Sequence, residues 1–103
     1  MRSNPVRQQS PSEVLERMKR GEKFNILDVR EPDEWASGHI PGARHIPLGE
    51  LQARHGELDK DSEIVVVCKS GGRSALACEF LASMGYNAIN MPGGMSAWPG
   101  DIE

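Results

Sequence analysis

Ile64-Val65-Val66-Val67-Cys68-Lys69-Ser70-Gly71-Gly72-Arg73-Ser74 passes from an apolar, β-branched tetrad straight into a cysteine, a glycine pair and two cations. The tetrad does not alternate apolar with polar, so it reads as a central strand of a parallel sheet, covered on both faces. Gly71 and Gly72 let the backbone curl so that successive N–H groups point inward. Beyond them, Arg73 to Met84 predicts a helix whose apolar contacts are Ala75, Leu76, Cys78, Phe80, Leu81 and Ala82, stopped by Gly85. A strand that ends in a loop and then a helix is where open α/β sheets place their sites.

The pattern repeats outward. Ser10 caps a helix that opens on Pro11, carries Val14, Leu15 and Met18 on one face, and ends at Gly21. Phe24 to Val29 reads as a strand, Glu31 to Ala36 as a short helix with Pro32 at its start, and His39 to Gly42 as a loop. Ala43 to Ile46 suggests another strand, Leu48 to Leu51 one or two helical turns, and polar Ala53 to Glu63 a surface connection. Asn87 to Asn90 adds a strand and Met95 to Trp98 a last short helix. Strands alternating with helices imply an α/β fold: a central parallel sheet of about five short strands flanked by helices on both faces. The 103 residues suffice for one domain, 1–103, with residues 1–10 a flexible or edge-strand segment.

Composition excludes several classes. Hydrophobic residues at 38% argue against disorder, and a net charge of −3 disfavours nucleic acid as a partner. No stretch approaches the roughly 20 apolar residues that span a bilayer, so no membrane association is expected. Met1 to Ser10 has no apolar core and does not read as a secretory signal. Cys68 and Cys78 are too few for a disulfide-stapled secreted domain, and two free thiols in a reducing cytoplasm are expected. No Cys-x-x-Cys pair occurs, and His39, His45 and His55 show no ligand spacing to either cysteine, so no metal or cofactor is expected.

Cys68 therefore stands at a strand end, beside inward amides, the positive end of a helix, and Lys69 and Arg73. A free cysteine has a pKa of about 8.5, and such surroundings lower it to roughly 3.5–7.5. The same cradle of Lys69, Ser70, Gly71, Gly72, Arg73 and Ser74 holds an anion against the nucleophile. The bland alternative is a buried small hydrophobe beside an ordinary β–α turn.

The chain resembles a single-domain rhodanese, a thiosulfate sulfurtransferase-like module. The resemblance is carried by Leu27-Asp28-Val29-Arg30-Glu31, by Trp35 with Gly38-His39-Ile40-Pro41-Gly42-Ala43, by Val67 to Ser74, and by Gly93-Gly94 with Trp98, in the family's order. It implies a sulfurtransferase in which Cys68 attacks the outer sulfur of a small anionic donor such as thiosulfate, or of a persulfide. Sulfite leaves from thiosulfate, and the cysteine persulfide passes its sulfur to a thiol, to cyanide or to a sulfur-accepting protein. The loop amides and Arg73 are then expected to stabilise the persulfide or the bound anion.

Two rivals use the same cysteine. One is a non-enzymatic persulfide carrier or docking module. The other is a cysteine-based phosphatase or arsenate reductase. Phosphatase loops place one residue more between cysteine and arginine than Lys69 to Gly72 provides. Ser74, at the position their arginine would take, cannot supply a bidentate guanidinium grip. Asp28 and Arg30 match the family's Asp-x-Arg element and read either as braces for the Cys68 loop or as an ordinary ion pair. His39 reads as fixing its loop, Trp35 and Trp98 as packing residues, Cys78 as an inert core thiol, and Met91 and Met95 as core.

Overall fold

Five short strands form one wholly parallel sheet in the computed structural model, which describes residues 6–103. In chain order they are β1 (Arg7–Gln8), β2 (Asn25–Asp28), β3 (Arg44–His45), β4 (Glu63–Val67) and β5 (Asn87–Asn90). They lie side by side as β1-β5-β4-β2-β3. Helices α1 (Pro11–Lys19), α2 (Pro32–Ala36), α3 (Leu51–Arg54) and α4 (Gly72–Ser83) connect them, with 3-10 turns at Leu48–Glu50, His55–Glu57 and Gly94–Ala97. The expected α/β architecture is present. Residues 1–5 of the expected N-terminal segment lie outside the described residues, while Arg7 and Gln8 pair with Ile89 and Asn90 as an edge strand.

Ile64 to Val67 of the central strand are all apolar because each has a helix or loop to meet. Ile64 and Val66 join Leu27, Val29, Ala88, Ala77, Cys78 and Leu81 in one core cluster, on the α4 side. Val65 and Val67 turn the other way and join Ile26, Ile89, Val14, Ile40 and Met91 on the α1 side. The two-residue period of a strand thus feeds two cores at once.

Cap chemistry sets the first two helices. The Ser10 hydroxyl accepts the Glu13 N–H at 3.1 Å, and Pro11 occupies the first helical turn. Gly21 takes φ +70° just past the helix end, as a left-handed stop. In α2 the Glu34 carboxylate accepts the Glu31 N–H at 2.9 Å.

Two expectations need correction. Ala53 to Glu57 is helical rather than a plain connection. Arg54 bonds Glu50 and Glu57 along the segment, Leu51 and Leu58 pack against the core, and half-buried His55 meets the Tyr86 hydroxyl at 3.0 Å, while Gln52, Ala53, Gly56 and Glu57 are exposed. The apolar set of α4 is also different. Leu76 and Ala82 face solvent, while Ser74, Ala77, Cys78 and Leu81 form the buried stripe. The loop before the helix fixes its rotation, and that turns Ser74 inward. On α1, Arg17 is buried beside Val14 because Glu63 and Glu22 pair with it, Gln9 accepts from it at 2.8 Å, and Phe24 lies under its guanidinium.

Topology then fixes where a site can form. From β2 the chain moves outward to β3, and from β4 it moves the opposite way to β5. The winding reverses between β2 and β4, and open α/β sheets bind their ligands in the crevice beyond the carboxyl ends of the strands at such a point. Asp28 pairs with Val67 across this boundary, so Val29-Arg30 and Cys68-Lys69 leave the sheet side by side.

Candidate active site

Cys68 follows β4 directly and is fully buried. Its Sγ accepts the Gly71 N–H at 3.0 Å and lies 3.4 Å from the Ser74 hydroxyl. Gly71 has φ +107°, a conformation that favours glycine, and it caps α4, with the Ser70 and Gly71 amides before the helix and the Ser74 amide within it facing the sulfur. A β-carbon at Gly71 would also crowd the Gly93 nitrogen at 3.1 Å. Burial works to raise the Cys68 pKa, but it is opposed by the Ser74 hydroxyl and by the amides of Ser74, Gly71 and Ser70. The balance lowers the pKa of the thiol.

The loop is held from behind. The Cys68 and Lys69 carbonyls accept the Met95 and Ser96 N–H groups at 2.8 and 2.9 Å. With their oxygens tied down, the loop's N–H groups are left for the sulfur side. Gly94 fits under these carbonyls because it has no side chain: a β-carbon there would reach the Lys69 oxygen at 2.7 Å. Sequence reasoning placed Gly93-Gly94 only as part of a resemblance; their work as a floor to the Cys68 loop is visible in the structure alone.

The expected loop residues divide by exposure. Lys69, Ser70 and Gly72 are exposed, Gly71 and Ser74 are buried, and Arg73 is half-buried. Arg73 does not stand as a free cation. Its guanidinium donates twice to Glu34, at 2.6 and 2.9 Å. This pairing, with the Glu31 N–H, holds the Glu34 carboxyl down to about 2. The positive field expected from Lys69 and Arg73 is thus partly cancelled by an acid from another element. Local sequence around the loop contains no sign of it, since Glu34 lies on α2, 39 residues before Arg73.

Asp28 and Arg30 are both buried and paired with each other. Both Asp28 oxygens accept from the Arg30 side chain at 2.7–3.0 Å, and Asp28 also accepts the Arg30 N–H at 3.0 Å. Arg30 reaches the Gly38 carbonyl at 2.8 Å. The pair therefore braces the segment around Gly38 rather than the Cys68 loop. His39 and His45 both stack on Trp35, with ring centroids 3.5 and 4.7 Å away. Their ring nitrogens meet the Trp35 and Arg30 carbonyls, so both histidines serve the loops beside the crevice. Trp98 packs on the α1-side core with Met95.

Cys78 is buried on α4, and burial, first of all, pushes its thiol up to about 12. Both cysteines are free. Among the described residues no group of three or more histidine, cysteine and acidic side chains gathers round a possible metal position, and no helix is long and apolar enough to cross a membrane.

A sulfur stabilised by amides at the mouth of a parallel sheet matches a family profile described as "Rhodanese-like domain" over residues 10–101. The chain belongs to the rhodanese-like domain family. It is 38% identical over 98 residues to the Bacillus subtilis protein named "Putative sulfurtransferase YtwF", covering 95% of each chain. It is 46% identical over 83 residues to "Putative sulfur carrier protein YrkF" of the same organism, covering 80% of this chain and 45% of that one. Among solved structures, a rhodanese-like domain protein from Staphylococcus aureus superposes with a TM-score of 0.89 at 33% identity, covering 95% of this chain and 97% of that one. This rhodanese-like chain therefore shares both the fold and most of its length with such proteins.

Proposed function

We propose that the protein transfers sulfane sulfur through a persulfide on Cys68. The observation that carries this reading is the Cys68 sulfur itself, buried yet facing the Gly71 N–H and the Ser74 hydroxyl, with its pKa lowered. A nucleophile activated this way needs no neighbouring base. The sulfurtransferase and sulfur-carrier names of two relatives support the same chemistry.

The Cys68 thiolate attacks the outer sulfur of thiosulfate. The new S–S bond forms as the bond to sulfite breaks, and sulfite leaves with that electron pair. An acceptor thiolate then attacks the outer sulfur of the persulfide, and the Cys68 thiolate is the leaving group. In each step the charge on the Cys68 side stays within reach of amides that are already oriented, so no reorganisation is required. A persulfide donor enters by the same attack.

Thiosulfate followed by intact-mass measurement tests the proposal. The expected result is a gain of one sulfur atom in the wild type and none in Cys68→Ala. A sulfur gain that persists in Cys68→Ala overturns it. Repeated turnover with thiosulfate and cyanide identifies an enzyme. A single sulfur loading passed on only to a protein thiol identifies a carrier, the reading that the YrkF name favours.

A further inference from the structure

We propose that Asn90 is a positioning residue for Cys68: its side-chain amide sets the direction in which the Ser74 hydroxyl points. This rests on Cys68 being the nucleophile of sulfur transfer. Asn90 is the last residue of β5 and is only 4% exposed. With Ala88 it faces the α4 side, where an apolar residue would fit the core pattern. A buried amide there is costly unless it has a partner. Its partner is Ser74, whose Oγ lies 2.5 Å from Asn90 Oδ1.

The Ser74 oxygen has three neighbours and one proton. Besides Asn90 Oδ1 it faces Cys68 Sγ at 3.4 Å and the Gly71 carbonyl at 3.1 Å. With Cys68 as a neutral thiol, the S–H donates to Ser74 Oγ, and the Ser74 proton goes on to Asn90 Oδ1. With Cys68 as a thiolate or persulfide anion, no S–H remains, and Ser74 has to donate to sulfur. Oγ and Oδ1 are then two acceptors facing one another. An asparagine resolves the conflict by turning its amide over, so that Nδ2–H donates to Oγ. The two ends of the amide are nearly the same size, and the turn needs no extra space. Aspartate offers only acceptors at neutral pH, and leucine offers neither, so only the amide serves both states of the sulfur.

Other charges near Cys68 are few or already paired. On α4, Arg73 feels the sulfur but is paired with Glu34 of α2, and Cys78 is a thiol held neutral by burial. On β2, Asp28 is locked to Arg30. Lys69 beside the cysteine is exposed. From β5 and the Gly94 turn come Asn90, Met91, Gly94 and Met95, none of which carries a charge.

The test is the pH profile of Cys68 alkylation by iodoacetamide, read by intact mass. Losing the support for one charge-assisted hydrogen bond moves the midpoint up by about one pH unit in Asn90→Leu. Asn90→Asp, of the same shape, moves it up at least as far. In a Ser74→Ala background, Asn90→Leu adds no further shift. A second alkyl group, on Cys78, reports loss of the fold, and where Asn90→Leu takes one, Asn90→Asp supplies the measurement. An unmoved midpoint, or the same shift with and without Ser74, overturns the proposal. Loading with thiosulfate separates the two readings. If Cys68 gains no sulfur while the midpoint moves as expected, sulfur transfer fails and the role of Asn90 stands.

Discussion

Glu34→Gln should make the protein bind a divalent sulfur donor more tightly. In the wild type the Arg73 guanidinium lies 2.6 and 2.9 Å from the Glu34 oxygens, so an incoming anion meets a neutral pair. Glutamine keeps an oxygen for the Glu31 N–H, which preserves the start of α2, and removes the charge. One charge pair at close range is worth ~1 kcal/mol in water, and a dianion doubles it before salt screening. The expected gain of about 1–2 kcal/mol lowers KM for thiosulfate roughly 5–30-fold at low ionic strength. Stability should change less. The Arg73 and Glu34 side chains are 34% and 24% exposed, and pairs this wet contribute ~0–1 kcal/mol. Glu34 is held at about 2 against an ordinary 4.5, so the stability the pair gives is present above pH 4.5 and lost as pH falls through about 2. The measurement is KM for thiosulfate across a salt series, alongside urea unfolding at pH 7 and at low pH. An unchanged KM in a folded variant, or a lowered KM that high salt leaves untouched, refutes the reasoning. Arg73→Ala is the companion: it should raise KM more than it lowers the unfolding midpoint, and equal loss of both contradicts it.

Three further outcomes follow from the geometry. Gly94→Ala places a β-carbon against the Cys68 and Lys69 carbonyl oxygens at φ +53°, and overpacking plus left-handed strain should cost about 2–5 kcal/mol by urea unfolding. A loss below about 0.5 kcal/mol would show that the loop floor yields freely. Asp28→Asn leaves the buried Arg30 guanidinium without its counter-charge, and ~3–5 kcal/mol should be lost. The double variant Asp28→Asn/Arg30→Met should be less unstable than the single one, and the reverse order would sink that account. At pH 8 the native protein should take one alkyl group, at Cys68, with Cys78 labelled only in denaturant. Early labelling of Cys78 would contradict a thiol buried and raised to about 12.

Local sequence determined the elements whose causes are local. Four β-branched residues at 64–67, a serine cap with a proline behind it at 10–11, and glycines at 21 and 85 each specify strand, helix start or stop within a few residues. The same holds for the proposed nucleophile, since Cys68, Gly71 and the start of α4 are neighbours along the chain. Helix Leu51–Arg54 and its continuation to Glu57 were less legible, because their support comes from charge pairs and a few apolar contacts in a polar stretch. Glu34 on Arg73, Asn90 behind Ser74 and Gly94 under the Lys69 carbonyl belonged to tertiary structure alone. Each joins elements that are distant in sequence, brought together by the strand order β1-β5-β4-β2-β3. Propensity and periodicity act over a few residues, whereas a hydrogen bond between two buried side chains exists only once the sheet has set their separation.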